Sequence, residues 1–129
     1  MAVHTTDNSP RAQLIRQLKP SLPKSWRLIK FEDNLDEIDR ITVMVRIQSV
    51  SRMPEAPQGF YLTTAVLELL TPQTDLSLAE DSLDVALFDL LDILNTIKPN
   101  LWVSTQKVLD AGTKRLAYDV TIHHVTTKD

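Results

Sequence analysis

Apolar residues along the chain fall into seven segments with two different periods. Leu14, Ile15 and Leu18 make one face of a short helix over 11–19. Ser9-Pro10 supplies its start: a side-chain oxygen to cap free N–H groups, then a residue pre-set for the first turn. Pro20 stops it, and Pro23 keeps the following chain open. From Trp26 to Phe31 the period changes to two. Trp26, Leu28 and Lys30 alternate with Arg27, Ile29 and Phe31, which predicts a short strand. A charged loop covers 32–40. Ile41, Val43, Val45 and Ile47 then alternate with Thr42, Met44, Arg46 and Gln48. That pattern predicts a half-buried strand over 41–50 with one wet or contact-making face. Residues 51–59 hold Pro54, Pro57 and Gly59 and read as a loop. The strand after it, 59–70, ends apolar on both faces except for Glu68. Strand, loop and strand form a long hairpin. Twelve strand residues span roughly 40 Å, so the hairpin is expected to project past a small core.

A turn around Pro72 leads to Ser77-Leu78-Ala79-Glu80, the pattern of a capping box. Asp75, Glu80, Asp81 and Asp84 favour the positive end of the helix that follows. The helix runs to about Ile97, roughly 20 residues and 30 Å, with Lys98 at its end and Pro99 stopping it. Leu83, Ala86, Leu87, Leu90, Leu91, Ile93, Leu94 and Ile97 fall within an arc of about 160°, the expected core face. Asp81, Asp84, Asp89, Asp92 and Asn95 occupy the opposite arc, with Val85 and Phe88 among them. Two alternating strands follow, 101–109 and 115–125, joined by a turn at Asp110-Ala111-Gly112-Thr113 in which Gly112 is the natural positive-φ residue. The order is α-β-β-β-α-β-β. It predicts an α+β fold: an antiparallel sheet with a long hairpin, packed against one long amphipathic helix plus a short N-terminal helix. Residues 1–8 read as a flexible arm, and 9–126 as a single domain.

Charge changes the picture most. Between Pro54 and Ile97 there is no Lys or Arg, and eight acids. The segments before, within and after that stretch carry +3, −8 and +2. A solitary subunit gains little from such segregation. Copies meeting head to tail gain an attraction between unlike faces. Phe88 and Val85 therefore have two readings: scattered surface hydrophobes, or an apolar anchor within a rim of Asp81, Asp84 and Asp92. The loop from Arg52 through Met53, Pro54, Glu55, Ala56 and Pro57 reads either as a recognition element or as a rigid hairpin tip. Arg46, on the wet face of its strand, joins these as a contact candidate.

Little chemistry competes. Two glycines exclude Gly-rich phosphate loops, and the absence of cysteine excludes thiol nucleophiles and Cys-zinc sites. His123 and His124 point to opposite faces of one strand and are expected at the surface. The helix acids lie on a convex face rather than in a cleft, so no catalytic, metal or cofactor residues are assigned and no enzyme is expected. No apolar run approaches the roughly 20 residues of a membrane span. The N-terminal residues lack an apolar signal core, so export is not expected.

Several blocks together resemble a known family. Arg11-Ala12-Gln13-Leu14-Ile15 opens the first helix, and Asn34-Leu35-Asp36-Glu37-Ile38 leads into Thr42-Val43-Met44-Val45-Arg46. Arg52 through Pro57 with Gly59, and Ala79-Glu80-Asp81-Ser82-Leu83-Asp84, come next. Trp102, Lys107-Val108-Leu109 and Ala117-Tyr118-Asp119-Val120 complete the set, which covers about residues 10–122. In block order and texture the chain resembles the tail terminator (tail completion) proteins of long-tailed bacteriophages, particularly those of actinobacterial phages. The resemblance implies a virion protein, assembled in the host cytoplasm into a homohexamer ring at the tail neck. Such a ring sits between the major tail tube protein and the head completion (stopper) protein, ends tube growth, and lets DNA pass through its lumen without specific binding. It implies no catalytic residues. An acidic bore, with few Lys or Arg lining it, is one expected use of the −8 segment. Another neck or tail-tube component is the near alternative; a small regulatory or ligand-binding α+β module is the distant one.

Overall fold

The first helix, α1 (Pro10–Leu18), begins where the Ser9 hydroxyl accepts from the Ala12 N–H at 3.2 Å, with Pro10 in its first turn. In this computed structural model, described for residues 9–30, 38–52, 59–97, 101–109 and 115–127, the helix buries Leu14 and Leu18 completely. Five strands follow the expected order: β1 (Arg27–Lys30), β2 (Thr42–Arg52), β3 (Phe60–Leu70), then helix α2 (Leu76–Thr96), β4 (Leu101–Leu109) and β5 (Leu116–Thr127). They form one sheet in the order β1-β2-β3-β5-β4. The fold is α+β, with the long α2 packed on the sheet.

The sheet is mixed rather than wholly antiparallel. β1 runs parallel to β2, with Arg27 opposite Thr42 and Lys30 opposite Val45. An antiparallel neighbour is reached through a tight turn, whereas a longer link can carry the chain back to the starting end of the sheet. Every other pair is antiparallel. A bulge between Ile47 and Ser49 leaves Gln48 without an opposite residue, so residues after it swap faces. The turn expected at Asp110–Thr113, the arm 1–8 and most of the loop 53–59 lie outside the described residues.

Cross-strand rows build the face that the helices cover. Val43, Leu69 and Tyr118 form one row, Val45, Leu67 and Val120 the next, Ile47, Ala65 and Ile122 the third. Onto them α2 lays Leu83, Ala86, Leu87, Leu90 and Leu94, all buried, with Leu91 and Ile93 half-buried beside them. The arc expected from sequence is the arc that packs. Its start differs. Asp75, not Ser77, is the N-cap: its Oδ1 accepts from the N–H groups of Ser77 at 3.0 Å and Leu78 at 3.1 Å. A carboxylate two residues upstream caps at least as well as a hydroxyl and carries charge toward the helix's positive end.

The other sheet face is less wet than alternation suggested. Thr42 and Met44 are buried there, with Ile29, and a small apolar cluster joins Ile38, Leu70 and Ala117 with Val108 against it. Exposure on β2 is confined to its far half, Gln48 to Arg52. The hairpin does not project alone, because β5 runs beside β3 to its end, Thr127 opposite Phe60.

His124 also departs from expectation. It is buried, 1% exposed, opposite Thr63 on the helix-covered face, whereas His123 on the other face is half-buried. A strand held between two others under a helical layer has one face sealed, and His124 lands on it. Thr63 and Thr126 share a hydrogen bond at 3.1 Å on that face.

Two outcomes test this packing. Leu90→Ala should cost about 2–5 kcal/mol in chemical denaturation, because the cavity lies at the centre of the core. Burial holds the His124 imidazole below its ordinary value of 6.5. The unfolded chain therefore takes up that proton first, so stability is full above about pH 6.5 and falls as pH drops below it. In His124→Leu the decline between about pH 6.5 and 5 should be absent when stability is followed against pH.

Candidate functional site

A single stripe runs along the outer side of α2. Leu78, Asp81, Val85, Phe88 and Asp92 recur at alternating intervals of three and four, so they stack on one face of the helix. Leu78 is 56% exposed, Val85 66% and Phe88 69%. Asp81, Asp89 and Asp92 are exposed beside them. The helix carries five acids and no base. An exposed aromatic beside two aliphatic neighbours, rimmed by one sign of charge, has the composition of a contact surface. Leu78 belongs to it although sequence reading placed it inside a capping box. The three-four spacing that continues through it was the available signal.

Asp84 has a different role from its neighbours. Its Oδ1 accepts from the Tyr118 hydroxyl at 2.9 Å and lies 3.2 Å from the Lys107 ammonium. The same ammonium reaches Glu80 Oε1 at 3.2 Å and stands 5.2 Å from the centre of the Tyr118 ring. Hydrogen bonds from Tyr118 and then Lys107 hold the Asp84 carboxyl below its ordinary range. Desolvation works against the Lys107 charge, yet its bonds to Asp84 and Glu80 outweigh it and raise the ammonium above the usual lysine range. Burial, then the bond to Asp84, raises the Tyr118 phenol. Lys107 and Tyr118 are cross-strand neighbours on β4 and β5, so this cluster clasps the first turns of α2 to the sheet. A second tie joins Thr71 to Ser82 through their hydroxyls at 2.9 Å, and Arg115 Nη1 donates to the Thr71 carbonyl at 3.0 Å. Two of the helix acids are thus engaged within the chain. Asp81, Asp89 and Asp92 form no ion pair among the described residues.

The remaining candidates lie elsewhere. Arg46 sits on the opposite face of the sheet, half-buried, in register with Val66. Glu68 and Asp119 face each other there as a direct cross-strand pair, one row away. Desolvation pushes the Asp119 carboxyl up, while the Arg46 charge and the hydrogen bond with Glu68 pull it back. Asp119 Oδ1 is buried with no hydrogen-bond partner among the described residues. Arg46 therefore acts on a charge inside its own chain. Arg52 ends β2 at the exposed tip, opposite Tyr61. Met53 and Glu55 lie outside the described residues. Among the described residues no group of three or more His, Asp or Glu is placed to hold a metal ion, and no helix is long and apolar enough to cross a membrane.

The Asp119 site makes a pH-dependent expectation. Its folded value lies above the ordinary 3.8, so the stability linked to it is full below pH 3.8 and is lost as pH rises through the folded value. Asp119→Asn should therefore be more stable than the parent at neutral pH in urea denaturation, with the gain shrinking as pH falls toward about 3.8. Neither a protein-family model nor any curated protein matches the chain.

Proposed function

We propose that the chain is a structural subunit whose activity is assembly, and that the assembly is a ring closing the head-proximal end of a phage tail tube. The observation that carries the first half is the exposed stripe of Leu78, Val85 and Phe88 on α2. Removing such side chains from water is the main driving force of association, at roughly 25 cal/mol per Å² of apolar area. Rigid helices held by a packed core present a contact surface at low ordering cost. The resemblance to tail terminators supports the second half. On this reading the mechanism is geometric: one face of the ring matches the last ring of the tube, and the other presents a different surface to the head completion protein. Polymerisation ends because the second face offers the tube subunit nothing to bind.

The test is assembly on purified tail tubes, followed by electron microscopy and native mass measurement. The parent protein is expected to cap tubes at one end as a six-fold ring and to stop their elongation. Phe88→Asp is expected to reduce capping, while its stability stays within about 0.5 kcal/mol of the parent, as for an exposed position. Tubes that elongate unchanged with the parent protein, or a Phe88→Asp protein that caps as well as the parent, overturn the proposal.

A further inference from the structure

Residues 9–26, ahead of β1, carry four basic side chains and no acid, while α2 carries five acids and no base. The two segments share one layer. Both helices pack on the same face of the sheet, joined through a single core that contains Leu14 and Leu18 of α1 together with Leu83, Leu87, Leu90 and Leu94 of α2. Within that layer α1 packs on β2 and β5, and α2 on β5, β4 and β3. The sheet order then sets the positive segment toward the β1–β2 edge and the negative one toward the β4 edge. Each flank keeps charges that its own chain does not neutralise. Lys19 and Lys24 are exposed and form no ion pair among the described residues, as Asp81, Asp89 and Asp92 form none on α2. Between the two lysines the chain also exposes Pro20 and Pro23, rigid apolar surface next to the charge.

We infer that the occupant of the α2 stripe is the Lys19–Lys24 flank of a second copy of this chain. Phe88 and Val85 would pack against the proline-rich turn, with Asp81 and Asp92 meeting the two lysines. The proposal rests on the assembly reading above and adds which surfaces meet. The contact is heterologous, since each copy offers an acidic flank on one side and a basic flank on the other. A heterologous contact repeats until rotation closes it into a ring. The unpaired acids of α2 then lie between subunits and do not line the bore. Asp84 and Glu80 stay with Lys107, so α2 keeps its orientation when the flank is mutated.

Charge reversal tests the pairing. Asp81→Lys with Asp92→Lys sets lysine against lysine at the contact positions, and Lys19→Glu with Lys24→Glu sets carboxylate against carboxylate there. Each doubly substituted protein alone is expected to associate about 100-fold or more weakly than the parent at low salt, because like charges then face one another. An equal mixture of the two is expected to recover assembly with alternating copies, and added salt to weaken the parent's own association. The absence of cysteine allows a second measurement that needs only transient contact. Phe88→Cys with Lys24→Cys should form disulfide-linked multimers between copies on mild oxidation. Phe88→Cys with Ser49→Cys, placed on the far sheet face, should not. If the parent assembles, yet both reversed proteins assemble as it does and the Phe88/Lys24 pair fails to link, this pairing is wrong and the assembly reading stands. If the parent neither assembles nor caps tubes and the Phe88/Lys24 pair fails to link, both are wrong.

Discussion

Burial of one arc of α2 against the rows of β2, β3 and β5 is the contact on which the rest of the molecule depends. Leu83, Leu87, Leu90 and Leu94 meet Val45, Leu67, Val120 and their neighbours in one continuous core, and α1 completes it with Leu14 and Leu18. A helix has a single circumference. Once about 160° of it is committed to the sheet, the residues that face water are decided as well. The outward position of Phe88 is therefore a consequence of how the core forms.

Polar ties refine that placement. Lys107 and Tyr118 hold Glu80 and Asp84 at the start of α2, and Asp75 satisfies its first free N–H groups. Exposed ion pairs contribute little to stability individually. Here their effect is positional: they tie the start of the helix to the sheet and offset one of its negative charges. The charge that remains available for contact is narrower than the composition of the segment suggests, and it is centred on the apolar stripe.

The opposite sheet face shows a different balance. Met44, Val66, Leu70 and Ala117 are buried there, and between them stand Glu68 and Asp119, opposed across two strands with Arg46 nearby. Burial raises the Asp119 carboxyl by more than the Arg46 charge and the hydrogen bond with Glu68 lower it, so Asp119 retains its proton more readily than an exposed aspartate. This face sets charged groups among apolar ones, whereas the helix-covered face is mostly apolar, with Thr63, His124 and Thr126 as buried polar members.

Local rules determined much of this protein. Period 3.6 and period 2 located both helices and all five strands, proline and serine marked the first helix start, and the core arc of α2 was legible residue by residue, as were Val85 and Phe88 outside it. Charge segregation was visible by counting. Other features depended on residues far apart in the chain, and only the tertiary structure decided them. The parallel direction of β1 follows from where its link returns, which periodicity does not encode. Asp84 looks like Asp81 and Asp92 in sequence, and only the arrival of Lys107 and Tyr118 from other strands separates it from them. Arg46 shows in sequence only as a charge on one strand face, and strand register alone brings Glu68 and Asp119 near it. His124 read as exposed because alternation tells which residues share a face, while packing alone tells which face is sealed.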